Sequence, residues 1–107
     1  MSILTEAARG APCRVRLPVC NGNVETTVAA HYRSVSLGAG MGIKPNDLLC
    51  ADACSACHDA IDGRTHIPGY TKDEIRFAHA EGVLRTITAR FEKGLIGIGK
   101  NSTRELI

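Results

Sequence analysis

Cys54-Ser55-Ala56-Cys57-His58-Asp59-Ala60-Ile61-Asp62 decides how this chain is read. It sets two thiols, one imidazole and two carboxylates within a little over two turns of a helix. Cys54-x-x-Cys57 at the start of a helix is a metal half-site: both sulfurs can face one ion, and a helix N-terminus stabilises thiolates. The other half is offered upstream by Cys13 and Cys20. Zn²⁺ takes four tetrahedral ligands, most often Cys thiolates in structural sites. The quartet Cys13, Cys20, Cys54 and Cys57 is therefore expected to hold a structural zinc. Cys50 is left over and reads as a small buried hydrophobe.

Composition agrees with a metal staple. The chain has 107 residues, one domain's worth, with 2 Phe, 2 Tyr and no Trp. A small domain with so thin a core is commonly held by metal or disulfides. Five cysteines would leave one thiol outside a closed disulfide framework. The first residues carry no basic and apolar signal pattern, and no apolar run is long enough to span a membrane. The expected setting is cytoplasmic and reducing, where clustered cysteines bind metal more often than they oxidise. A net charge of +2 permits nucleic-acid binding without requiring it.

Taken in order, Ile3 to Arg9 reads as a short helix stopped by Gly10 and Pro12. Cys13 to Leu17 alternates as a half-buried strand does, and Pro18 ends it. Asn21-Gly22 is a hairpin signal, with Glu25 to Arg33 as the returning strand carrying His31 near its end. Ser34 to Asn46, with Gly38, Gly40 and Gly42, reads as a long connector and lacks the marks of a phosphate loop. Leu48 to Ala51 is apolar, and Asp52 is placed to cap a helix through Cys54 to Asp62, closed by Gly63. Thr71-Lys72-Asp73-Glu74 forms a capping box that opens the longest helix, to about Lys93. Phe77, Ala80, Leu84, Ile87 and Phe91 recur along one of its faces, with Arg76, Arg85 and Arg90 off that stripe. Gly94 closes it, and Leu95 to Ile98 reads as a last strand.

Three chemistries compete for the central stretch. Cys54-Ser55-Ala56-Cys57-His58 matches the c-type haem attachment motif, but no export signal precedes it and Cys13 and Cys20 would go unexplained. A purely structural zinc module that contacts nucleic acid or a recombination protein needs only the quartet. Catalysis needs more, and His31 with His58 offers it. On a helix His58 projects about 100° round from Cys57, and Asp62 shares its face four residues on.

Ala7-Ala8-Arg9-Gly10, Cys20-Asn21-Gly22-Asn23, Glu25-Thr26, Ala30-His31, Lys44-Pro45 and Ala53-Cys54-Ser55-Ala56-Cys57-His58-Asp59 carry a resemblance that covers roughly the first two thirds of the chain. The pattern resembles the HNH or His-Me finger endonucleases, and more closely the YbcO-like nucleases of lambdoid prophages. That resemblance implies an α+β, ββα-metal fold with a zinc-stapled hairpin and a long C-terminal helix. It also implies a metal-dependent endonuclease that hydrolyses DNA. His31 would activate water, and His58 would hold Mg²⁺ or another divalent cation on the scissile phosphate. Many members carry Asp just before the base histidine; here that position is Ala30. The motif's middle Asn would fall near Asn46 or Asp47.

The chemistry agrees. Histidine is suited to taking a proton near neutral pH, and a hard divalent ion neutralises phosphate charge. Arg14, Arg16 and Arg33 lie on or beside the expected hairpin and are candidates for positioning the nucleic-acid backbone. His66 is a candidate further ligand, and His79 reads as structural or exposed. The oligomeric state is left open.

Overall fold

In a computed structural model of the chain, residues 3–33 and 46–97 are described. Helix α1 spans Ile3–Glu6, strand β1 Val28–His31, strand β2 Cys50–Ala53, helix α2 Ser55–Ile61 and helix α3 Lys72–Glu92. The two strands form one antiparallel pair with Val28 opposite Ala53 and His31 opposite Cys50. The fold is a small α+β arrangement, β-β-α followed by a long C-terminal helix that packs mainly on β2. No helix among the described residues is long and apolar enough to cross a membrane.

The expected hairpin of 13–17 against 25–33 does not form. Residues 13–17 are irregular, and Arg16 has φ 61°, which no strand accommodates. Val15 and Leu17 are buried and Arg16 is exposed, so the alternation reports burial without a ladder. This segment docks on β2 through the Arg14 N–H, which donates to the Asp52 carbonyl at 2.7 Å. The Asn-Gly turn also does something else. Asn21 Oδ1 accepts from the Asn23 N–H at 2.8 Å, and Asn23 in turn caps a 3₁₀ turn over Val24–Thr26. These local side-chain bonds end the turn before a second strand can pair. The partner of β1 comes instead from residues 50–53, where Leu48 to Ala51 reads only as an apolar run.

Asp52 is not the cap of α2. It lies in β2, fully buried, and Cys54 is the N-cap, its sulfur accepting from the Cys57 N–H at 3.5 Å. Asp52 accepts from Arg14 and from both terminal nitrogens of Arg90, at 2.6 and 2.9 Å. Its N–H donates to Thr86 Oγ1 at 3.0 Å. One carboxylate thereby joins the N-terminal segment, β2 and α3. Charges are rarely buried unless paired and hydrogen-bonded in this way.

Helix α3 begins with the expected capping box: Thr71 accepts from the Glu74 N–H and the Glu74 carboxylate from the Thr71 N–H. Gly94, at φ 78°, follows its end. The face it buries is not the apolar stripe. His79, Gly82, Val83, Thr86 and Arg90 face the core, whereas Phe77, Leu84 and Phe91 are exposed. Gly82 explains the choice. A Cβ there would sit 3.0 Å from Val15 Cγ2 and 3.1 Å from the Arg14 carbonyl oxygen, so any larger residue would have to push the segment of residues 14–15 back by a few tenths of an ångström. Residues 95–97 form no strand; Ile98 and the connector 34–45 lie outside the described residues. The core itself is built of small residues: Ala30, Ala51, Ala53, Cys54, Cys57 and Ala60 with Val15, Leu17, Ile67 and Val83.

Candidate functional site

The cysteine quartet assembles. Sγ atoms of Cys13, Cys20, Cys54 and Cys57 all lie within 4.8 Å of one another, and those of Cys20 and Cys54 are 3.8 Å apart. A tetrahedron with bonds of about 2.3 Å has edges of about 3.8 Å, so the spacing suits one thiolate-bound ion. Each half is built locally. Cys54 and Cys57 belong to the cap and first turn of α2, and Cys20 is held by a turn whose N–H donates to the Leu17 carbonyl at 2.9 Å. The hydrogen bond from Cys57 pulls the Cys13 thiol down to about 4, while the same contact and burial push Cys57 up. Burial also raises Cys20. Four thiolates this close would repel one another, and a bound dication would remove that repulsion.

Cys50 stands apart. It is buried in β2, donates its thiol to the Asp47 carbonyl at 3.2 Å, and is pushed up to about 11 by burial.

A second site opens beside α2. A cleft of about 510 Å³ is lined by His31, Asp62, His66, Tyr70 and, on its basic side, Arg33, Lys72 and Arg76. His31 reaches it because β1 ends there, and its Nε2 lies 2.9 Å from Asp47 Oδ1. A carboxylate only accepts, so this contact places a hydrogen on Nε2, and in the neutral ring the lone pair is then on Nδ1. His58 is not on the lining. Its Nε2 is 3.4 Å from Asp62 Oδ2, one helical turn on, and Asp62 is on the lining. Asp62 also pairs with Arg64 at 3.1 Å.

The three arginines singled out by sequence separate. Arg33 is exposed and lines the cleft. Arg16 is exposed away from that lining. Arg14 turns inward to Asp52, with its side chain only 14% exposed. His79 is structural: it is buried, its Nε2 donates to the Ala30 carbonyl at 2.9 Å, and it meets Tyr32 edge to face at 5.1 Å. Burial lowers its pKa.

Sequence reading missed Asp47 as the partner of His31, and Lys72 and Arg76 as cleft residues. Asp47 is 16 residues from His31, beyond any local period. Lys72, Ile75, Arg76 and His79 were legible as one helix face by their three- and four-residue spacing, but nothing local shows that this face meets a cleft. Arg76 is held there by its hydrogen bond to the Arg33 carbonyl at 3.3 Å and by stacking 4.7 Å over the Tyr32 ring.

Fold and cysteine centre together describe a small protein built round a candidate metal site with a histidine-lined cleft next to it. Residues 2–95 match the model of the family described as "Putative nuclease YbcO", and the chain belongs to that family. It is 50% identical over 99 residues to the Escherichia coli K12 protein of that name, covering 90% of this chain and 98% of the relative. The figures are the same for the protein of that name from Enterobacteria phage 82. A solved structure described as a putative bacteriophage protein from E. coli K-12 MG1655 superposes with a TM-score of 0.70 at 45% identity, over 84% of this chain and 98% of that one.

Proposed function

We propose that this protein is a metal-dependent endonuclease of the HNH, or His-Me finger, type that hydrolyses DNA phosphodiester bonds in the cytoplasm. The observation that carries the reading is His31, backed by Asp47 at 2.9 Å, at the end of the first strand of a β-β-α unit, facing a cleft with a basic side. The names of its relatives, which call them nucleases, support the same reading.

In this reading the quartet Cys13, Cys20, Cys54 and Cys57 holds zinc, since four thiolates at tetrahedral spacing favour that ion. Zinc there would be structural, with Cys13 and Cys20 tying the irregular segment of residues 13–20 to Cys54 and Cys57 at the start of α2. His58, with Asp62 beside it, would hold Mg²⁺ or another divalent cation, which when bound supplies charge neutralisation at the scissile phosphate. His31 takes a proton from water at Nδ1, while Asp47 fixes the ring and stabilises its charged form. Arg33, Lys72 and Arg76 hold the phosphate backbone along the cleft. Arg16 would contact the strand outside it, and Arg14 serves the buried Asp52.

One observation favours a second reading, a non-catalytic zinc module that contacts nucleic acid. Ala30 is 2% exposed and its carbonyl is taken by His79, so the position before His31 offers no second acidic ligand. Cleavage of supercoiled DNA with Mg²⁺ or Mn²⁺, with zinc content followed in parallel, separates the two. His31→Ala should keep its zinc and lose about 10²–10⁴-fold in rate. His58→Ala should also keep zinc but need more divalent ion for cleavage. Equal cleavage by both variants and the native chain would reject the nuclease mechanism, and loss of zinc from His58→Ala would move His58 into the quartet.

A further inference from the structure

Among the described residues, little covers the outer part of the apolar stripe of α3, whereas Ile87 at its edge packs against the core. Phe77 and Leu84 are each 65% exposed and Phe91 is 57% exposed. At 100° per residue the stripe lies about 140° round the helix from the face that packs on β2. An aromatic side chain presents roughly 200 Å², so the two rings alone leave about 240 Å² of apolar surface in water. With Leu84 between them the patch reaches the range of roughly 300–600 Å² seen for the largest patch of a monomer, which is often functional.

The spacing suits a two-fold contact. Phe77 and Phe91 each lie seven residues from Leu84, so the stripe reads the same from either end. We infer that a second copy of this chain covers it, with the two α3 helices antiparallel about a two-fold axis at Leu84. Phe77 then packs on Phe91 of the partner subunit, twice, and Leu84 meets its own equivalent. This is an isologous, closed contact. A seven-residue repeat drifts by about 20° per heptad on a straight helix, which suits two helices crossing at a shallow left-handed angle.

Near the axis the charges are complementary, while towards the helix ends the same two-fold brings Glu74 of each copy beside Glu92 of the other. Glu81 and Arg85 share one flank of the stripe and are 3.9 Å apart within the helix. The two-fold sets Glu81 of each copy on the same flank as Arg85 of the other, about two residue rises, or roughly 3 Å, from level. Glu74, Glu81 and Glu92 all border the stripe, which makes it a poor surface for a nucleic-acid backbone. Doubled across the axis and rimmed by Ala80, Ile87, Glu81 and Arg85, the contact buries on the order of 1,000 Å², the lower end of specific interfaces. The dimer is therefore a reversible one. The cleft residues Lys72, Ile75, Arg76 and His79 lie on a different face of α3 and stay open in it.

Sedimentation equilibrium of the zinc-loaded full chain over a range of concentrations tests this. The native protein should move from 11.4 kDa toward twice that mass as concentration rises. Leu84→Glu should remain at the single mass at every concentration, with unchanged circular dichroism and zinc content. The register has its own test: Phe77→Lys and Phe91→Glu should each weaken association, and the double variant should associate more tightly than either, because the antiparallel arrangement sets the new charges opposite one another. A native chain that stays at 11.4 kDa throughout, or Leu84→Glu dimers as tight as native, overturns the proposal. A double variant weaker than both singles overturns the antiparallel register.

Discussion

Asp52 and Arg90 meet face to face, Oδ1 to Nη2 at 2.6 Å and Oδ2 to Nη1 at 2.9 Å, with the carboxylate fully buried and the guanidinium side chain 4% exposed. Thirty-eight residues separate them in sequence. Arg14 shares the same carboxylate, and Arg90 Nε also donates to the Leu4 carbonyl at 3.3 Å. Removing one member strands the others in a dry interior. Asp52→Asn is expected to cost about 3–5 kcal/mol, the range for breaking a buried pair. Arg90→Lys should also destabilise, since an ammonium cannot make the paired contact. Urea unfolding at saturating zinc measures both; a loss below about 1 kcal/mol for Asp52→Asn would show that the pair adds little.

Zinc should be part of folding here. If one ion joins Cys13, Cys20, Cys54 and Cys57, its binding free energy is also folding free energy. Chelation should lower the melting temperature of the native chain, and Cys13→Ser should lower bound zinc per chain. Cys50→Ser is expected to keep full zinc, because Cys50 bonds to the Asp47 carbonyl outside the cluster. Elemental analysis decides the matter: zinc retained at one per chain in Cys13→Ser excludes the quartet.

Gly82→Ala sets two local effects against each other. Alanine raises helix propensity by about 1 kcal/mol. Its Cβ would press at 3.0–3.1 Å on Val15 Cγ2, Val15 Cα and the Arg14 carbonyl oxygen, and two of those atoms are backbone. Overpacking of that kind costs about 1–3 kcal/mol. The net expectation is a loss of about 1 kcal/mol, with Ser or Val worse. A more stable Gly82→Ala would mean that the segment of residues 14–15 yields.

The buried His79 predicts an acid-side loss of stability. Its folded pKa is lowered from 6.5 chiefly by burial, so the unfolded chain binds a proton that the folded chain resists. The stability tied to neutral His79 is fully present above 6.5 and falls as pH drops from there toward the lowered value. His79→Gln should be less stable at neutral pH and show a shallower decline through that window. Melting temperature against pH, with bound zinc measured at each point, provides the comparison. Identical slopes in the two proteins would remove His79 as the cause.

What the sequence determined by itself was chemistry and local structure. The cysteine types and spacing named the cluster before any contact was known, and the capping box at Thr71 with Gly94 set the bounds of α3 to within a residue or so. Caps, turns and helical periods are decided within a few residues, so they are legible there. The pairing of His58 with Asp62 was legible for the same reason.

Tertiary structure alone decided which surfaces meet. The partner of β1 is a strand about 20 residues further on, and a local hairpin signal at Asn21-Gly22 was spent on a side-chain-capped turn instead. The face of α3 that packs was chosen against hydrophobicity. Close approach at Gly82 and the Asp52–Arg90 pair turn a polar face inward, leaving Phe77, Leu84 and Phe91 outside. The same docking brings Lys72 and Arg76 to His31 and so makes the cleft. A buried charge pair and a missing Cβ act only when distant segments are already in contact, and no period along the chain records them.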